Sequence, residues 1–330
     1  MPDRAHGPWV DLHAHPGRCF VDGLTGNDLI LSVLGPHACD EAYTGMVDAG
    51  MAAVSVATVP DIKVLGLVGS GPGAVRDFEP GEAYADHRRQ LDAVARFAGR
   101  ALRVVHGAAD VEAAHASGVP ALWLCCEGGD FAEGRLDRIA EVHAAGVRSI
   151  TLVHYRVNEL GDIQTAPPVH DGLTAFGREV VREMNRLGMV IDLAHATFAT
   201  TRDALAVSTH PVMVSHSHLD HADRSHPRLL SDEHARAVAD AGGLIGAWPS
   251  GVTSATLADF VDEIARLVDV VGVPHVAIGT DLDANVRPVL TRYAEFRDVA
   301  AALATRGMTA AEIDAVLGGN ALALIRAVCG

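Results

Sequence analysis

The sequence Asp11-Leu12-His13-Ala14-His15 places two imidazoles one residue apart. In an extended segment alternate side chains share a face, so both rings can reach one cation. Five more ligand-type residues each close a short apolar or β-branched run: Glu127, His154, His195, His216 and Asp281. Together they make seven candidates at the same ends of six runs. Neutral imidazole and carboxylate favour zinc, with manganese and iron as alternatives. His195 and His216 come from neighbouring runs and can clasp a second ion, and Glu127 has two oxygens with which to bridge both. Such a bridge suits a two-metal hydrolytic centre, with ions roughly 3.5–4 Å apart.

Residues this far apart in sequence meet only if the intervening elements bring them together. Strands are expected near residues 9–13, 52–58, 121–126, 149–153, 190–194, 212–215, 243–247 and 275–279. Amphipathic helical patterns lie between them, at 82–98, 133–145, 175–187, 200–207, 232–241 and 255–271. Gly or Pro marks most junctions, as in Leu187-Gly188 and Gly272-Val273-Pro274. Eight strands alternating with helices predict a parallel sheet closed into a (β/α)₈ barrel, whose strand C-termini converge on one mouth. An open doubly wound sheet is the alternative, but the GxGxxG turn expected after its first strand is missing. Residues 64–80, with Gly69-Ser70-Gly71-Pro72-Gly73, read as a long loop, and residues 103–106 as a small extra strand. No repeat, linker or low-complexity tract divides the chain, so residues 1–330 are expected to form a single domain.

Composition sets the outer bounds. A chain of 330 residues buries roughly 75% of the surface its unfolded form exposes, so it needs no disulfide staples. With 49% hydrophobic and 21% charged residues it reads as globular. A net charge of −16 argues against nucleic acid and anionic membranes as partners. The five cysteines show no CxxC spacing, and Cys125-Cys126 read as packed. No run reaches the roughly 18 apolar residues of a spanning helix, and the first ten residues lack a signal-peptide core. A cytoplasmic protein is the expectation. Lys63 is the only lysine, so carbamylated-lysine chemistry would have to use it.

In the order of its motifs the sequence resembles the membrane (renal) dipeptidase family of zinc peptidases. The matching pieces are Asp11-Leu12-His13-Ala14-His15-Pro16, Glu127-Gly128-Gly129, Leu152-Val153-His154, Asp192-Leu193-Ala194-His195, Ser215-His216-Ser217, His226-Pro227-Arg228 and Ile278-Gly279-Thr280-Asp281-Leu282-Asp283. Glu312-Ile313 and Leu317-Gly318-Gly319-Asn320 are similar to the family's closing helices. The resemblance implies a (β/α)₈ fold, two zinc ions and hydrolysis of dipeptides, with tolerance for a D-residue at the C-terminal position. By that resemblance His13 and position 15 hold the first metal, Glu127 bridges, and His195 and His216 hold the second. His154 faces the scissile carbonyl, Arg228 holds the substrate carboxylate, and Asp281 is the acid/base. A glutamate bridge also fits the lysine count.

Three departures stand out. Most members have aspartate where this chain has His15, the loop from His216 to Arg228 is one residue longer, and Leu229 stands where asparagine commonly follows the arginine. The expected activity is a binuclear metallohydrolase acting on a small dipeptide-like substrate. Its metals would polarise the carbonyl and lower the pKa of water toward about 7, while Asp281 moves the proton and His154 meets the oxyanion. An amidohydrolase acting on an N-acyl amino acid or lactone, and a non-catalytic metal-binding homologue, are the alternatives. A homodimer is compatible with the sequence, which does not fix the oligomer. His218, His221 and His226 read as a solvated polar loop, and Asn158 and Asp162 as a turn or a pocket wall. Asp283 reads as support for a metal ligand or as a loop cap.

Overall fold

The computed structural model describes residues 6–69, 71–99, 103–221 and 225–330. In chain order the strands are β1 (Val10–Asp11), β2 (Ala53–Thr58), β3 (Leu65–Val68), β4 (Gly71–Ala74), β5 (Arg103–Val104), β6 (Ala121–Glu127), β7 (Ser149–Thr151), β8 (Val190–Asp192), β9 (Met213–Ser217), β10 (Leu244–Ala247) and β11 (Val276–Ile278). Eight of them run parallel in the order β1-β2-β6-β7-β8-β9-β10-β11. The Leu12 amide donates to the Ile278 carbonyl at 2.9 Å, joining the last strand to the first. This is the expected barrel. The small extra strand also forms: β5 pairs with the first residues of β6.

Strand alternation sorts the core. Ala53 and Ala57 on β2, and Ala121, Trp123 and Cys125 on β6, share one apolar cluster with Val190, Met213, Leu244 and Ala277. Their neighbours Val54, Val56, Leu122, Leu124 and Cys126 belong to the cluster that packs against the surrounding helices. Glu127 continues the parity of 121, 123 and 125, so its carboxylate emerges at the C-terminal end of the barrel interior. Helix Asn320–Cys329 contributes Leu322, Leu324 and Ile325 to the inner cluster and packs at the opposite end. Helix starts follow side-chain caps: Thr174, Thr197, Ser231 and Thr256 each accept a bond from the third residue after them.

Several expectations need correcting. Residues 64–80 are not a plain loop, because β3 and β4 form an antiparallel hairpin with Leu65 opposite Ala74 and Val68 opposite Gly71. Ser70 lies outside the described residues. Glycine and proline lower the strand signal of that segment, yet backbone pairing across the hairpin needs no side chains. Helices Asp28–Leu34, Cys39–Ala49 and Ala108–Ser117 were not anticipated. His218 is not part of a solvated loop; it is buried in the barrel wall with its ring edge-on to Phe260. Among the described residues no helix is long and apolar enough to cross a membrane.

Two buried aspartates tie strand ends together. Asp192 accepts from the Ser215 and Ala194 amides at 2.9 and 3.0 Å and from the Thr151 hydroxyl at 2.6 Å, linking β7, β8 and β9. Asp11 accepts from the Thr280 amide at 2.9 Å and from its hydroxyl, linking β1 to the segment after β11. Replacing Asp192 with alanine strands buried donors, at about 1–3 kcal/mol each. Urea unfolding of Asp192→Ala should therefore show a loss of about 2–4 kcal/mol, with Asp192→Asn losing less. An unchanged midpoint would contradict this role.

Three histidines away from the barrel mouth are held neutral by burial. His87 and His218 are pushed down to about 3 and His234 to about 4. Below about pH 6.5 the unfolded chain takes up protons that the folded chain refuses, so their stability contribution is complete above 6.5 and falls toward pH 4. The unfolding free energy should decline from pH 7 to pH 5, and His234→Gln should remove up to about 1.4 kcal/mol per pH unit of that slope. An identical slope in both proteins would overturn the assignment.

Candidate metal centre

The seven candidates do meet. Glu127, 3% exposed, sits at the centre of the mouth. Its Oε1 lies 3.1 Å from His195 Nε2, 3.3 Å from His13 Nε2 and 3.5 Å from His216 Nε2. Its Oε2 lies 3.2 Å from His15 Nε2 and 3.5 Å from His154 Nε2. Asp281 closes the ring through Oδ1, 3.4 Å from His15 Nε2. His195 and Asp281 follow their strands in left-handed backbone, with φ of 65° and 58°. Each costs of order 1–3 kcal/mol, and such strain gathers where a side chain must be aimed.

The outward ring nitrogens are held from behind. His15 Nδ1 donates to the Ala57 carbonyl at 3.1 Å, and His216 Nδ1 pairs with the Ser215 hydroxyl at 3.0 Å. His154 Nδ1 meets Asp61 Oδ1 at 2.8 Å. These contacts hold the rings with Nε2 turned toward Glu127. Asp283 accepts from the Gly17 amide at 2.8 Å, steadying the turn after His15. Asp162 caps its loop by accepting from the Val169, His170 and Gly172 amides.

Electrostatics divide the site. Burial holds His195 and His216 well below the ordinary histidine pKa, and Arg228 adds to this in both, so each keeps a lone pair. Burial alone would raise Glu127, but the surrounding histidines, His154 and His13 foremost, hold it well below the usual range. Burial also opposes a charge on His15, yet its bonds to Asp281 and Glu127 push it up to about 10. For His154, burial is outweighed by the Asp61 and Glu127 carboxylates, and its pKa is raised.

That pattern fits a metal site. Five imidazole nitrogens face one carboxylate, and His195 Nε2 and His216 Nε2 approach to 3.1 Å with no apolar partner between them. His13 Nε2 is buried and makes no hydrogen bond in good geometry among the described residues. Three groups could each hold an ion: His13, Glu127 and His216; His13, His15 and Asp281; and Glu127, His154 and His195. The first two share His13, and Glu127 is common to the first and third.

Arg228 reaches the site despite its longer loop, of which residues 222–224 lie outside the described residues. It is 1% exposed, with Nη1 donating to Gln164 Oε1 at 2.7 Å and Nη2 lying 2.9 Å from His216 Nε2. Leu229 is buried, and the Arg228 carbonyl accepts from the Ser217 hydroxyl at 2.8 Å. Sequence reasoning passed over Asp61, Gln164 and Trp248, whose indole donates to Asp281 Oδ2 at 3.2 Å. Asp61 follows β2 and Trp248 follows β10, so the strand-end rule that found the others applied to them too. All eight barrel strands feed the mouth.

Residues 8–329 match the membrane dipeptidase family, peptidase family M19. The dipeptidase tcpJ of Claviceps purpurea is 30% identical over 78% of this chain and 64% of its own length. The dipeptidase aclJ of Aspergillus oryzae is 33% identical over 56% of this chain and 46% of its own. The chain thus spans about half to two-thirds of the curated relatives it matches. Among solved structures, a metallopeptidase from Rhodobacter sphaeroides, bound to a phosphinate mimic of L-Ala-D-Ala, superposes with a TM-score of 0.79. It is 22% identical, with 98% of this chain and 99% of that one covered. An amidohydrolase from Pseudomonas aeruginosa superposes at 0.77 and 21% identity, covering 98% and 97%. On the family match over nearly its whole length, this chain belongs to the membrane dipeptidase family.

Proposed function

We propose that this protein is a binuclear metal-dependent dipeptidase that hydrolyses the amide bond of small dipeptides bearing a free carboxylate. The observation that carries the reading is the single ionised carboxylate, Glu127, ringed by five imidazoles with a buried arginine beside them. His13, His15, Glu127, His195 and His216 would hold two divalent cations, zinc being the best match to the donor set. Bound there, the cations would polarise the scissile carbonyl and acidify the attacking water.

The side chains supply the rest. Arg228 offers a planar fork to the substrate carboxylate, and its Gln164 contact orients that fork. His154, held from behind by Asp61, turns Nε2 toward the developing oxyanion. The third ion group above includes His154; its Nδ1 is held by Asp61, and the family resemblance gives its inward Nε2 the oxyanion role. Asp281, anchored by the Trp248 indole, accepts the proton of the attacking water and returns it to the leaving amine. Tolerance of a D-residue at the C-terminal position is proposed from the family resemblance and from the ligand of the Rhodobacter structure. Hydrolysis of N-acyl amino acids is the competing activity.

Metal analysis should find close to two divalent ions per chain, and Glu127→Ala should lower occupancy of both sites. Two tightly held ions in that variant would remove the bridge.

Arg228→Ala should cut kcat/KM on a free dipeptide by well over tenfold, since removing one partner of a desolvated charge pair costs about 2–5 kcal/mol. The dipeptide amide should be a poor substrate for the wild type and should lose little more in the variant. Equal turnover of free and amidated forms by the wild type would refute the anchor and favour another amidohydrolase activity.

A further inference from the structure

We infer that the site selects substrates whose N-terminal residue carries a large apolar side chain. This rests on the dipeptidase reading and extends it to substrate class. The cavity over the centre has a volume of about 340 Å³. That is near the lower end of the roughly 300–1,000 Å³ typical of ligand sites, and suits a dipeptide better than a longer peptide. At its inner end lie His15, Glu127, His154, His195, His216 and Asp281. Its outer walls come from helix Asp28–Leu34, from the β3–β4 hairpin, and from Phe20 and Val286.

Those walls are apolar and incompletely covered. Helix Asp28–Leu34 has the sequence Asp-Leu-Ile-Leu-Ser-Val-Leu, yet none of its residues is buried. Leu29, Val33, Leu67 and Val286 are 43%, 71%, 68% and 49% exposed, and all four line this cavity. They make up half of the eight large hydrophobic side chains exposed among the described residues. Such clustering marks a surface meant to be covered. Beyond the inner end the lining carries no charged side chain among the described residues, so an acidic or basic substrate group would lose its hydration without a partner.

Direction follows from the two ends of the centre. Arg228 approaches from His216, at 2.9 Å, whereas Phe20 packs edge-on to His15 with ring centroids 5.0 Å apart. A substrate anchored by its carboxylate at Arg228 and crossing Glu127 extends its N-terminal residue toward His15, Phe20 and the apolar helix.

The test is a kcat/KM series with the metal-loaded enzyme on Gly-, Ala-, Leu-, Phe-, Asp- and Lys-Ala, together with Ala-Leu. Each buried carbon is worth about fourfold. Leu-Ala and Phe-Ala should exceed Ala-Ala at least tenfold, and Asp-Ala and Lys-Ala should fall below it. Ala-Leu should gain less than threefold over Ala-Ala. In the double variant Leu29→Asn, Leu67→Asn the Leu-Ala to Ala-Ala ratio should collapse to below threefold. Both residues are exposed, and circular dichroism checks the fold. A flat series from an active enzyme overturns the subsite while leaving the dipeptidase reading intact. So does a flat series with a dimer that the double variant dissociates, which would assign the patch to a second copy. No turnover of any dipeptide overturns both readings.

Discussion

Glu127 holds a negative charge with almost no access to water, and the architecture around it follows from that burial. An isolated ion in such a place costs several kcal/mol even after relaxation. Here five imidazole nitrogens stand within 3.1–3.5 Å of its oxygens. Those rings arrive from β1, β7, β8 and β9, while the carboxylate rides on β6. No hairpin or helix pair delivers five strand ends to one point. A closed parallel barrel does, because its strand ends share one mouth. The rings can serve the centre only with Nε2 turned inward, so the contacts behind them matter as much as the rings.

Buried aspartates supply much of that backing. Asp192 ties β7 and β8, which precede His154 and His195, to β9, which carries His216, and Asp11 ties the segment of His13 to that of Asp281. Asp61 sets the ring of His154 and also accepts from the Tyr155 amide at 3.1 Å. Each converts local backbone geometry into aim at the centre. The left-handed conformations of His195 and Asp281 are maintained by the same framework: the His195 carbonyl accepts from the Gln164 amide, and the Asp281 amide donates to the His13 carbonyl, both at 2.7 Å. Stability and function are coupled here because the bonds that close the barrel also orient the ligands.

The alternation of apolar runs and amphipathic helices made the barrel readable from sequence, and the ligand types at the run ends made the centre readable. Both are local patterns. Asp61, Trp248 and Gln164 escaped because their importance lies in which distant atom they touch. Gln164 in particular belongs to a loop whose placement depends on the bridge between Ile163 and Ala196. The β3–β4 hairpin reads as a loop in sequence because its order comes from backbone pairing between glycine-rich strands. His218 looked solvated because it sits in a histidine-rich stretch, but β9 extends past His216 and carries the chain into the wall. Arg228 was suggested by family resemblance, and only the folded loop shows that it reaches His216.

Charge distribution explains why the carboxylate recognition proposed above would have to be built at short range. A chain of net charge −16 repels small anions at a distance, but at physiological ionic strength that field is screened beyond about 8 Å. Inside the mouth the balance reverses. Among the described residues Glu127 and Asp281 are the acids that face the centre, His195 and His216 are neutral, and Arg228 is buried against them. His15 in the place of an aspartate removes one negative charge from that balance. Cations added to this set would leave an excess of positive charge at the Arg228 end, where water is excluded and an unpaired guanidinium is costly. In the proposed function, a substrate carboxylate would offset that excess by pairing with the guanidinium. The opposite end, walled by Phe20 and the helix that follows, offers no such charge. On the proposed reading, the cleft would orient its ligand by polarity: anion inward at Arg228, apolar group outward past His15, with the bond to be broken over Glu127.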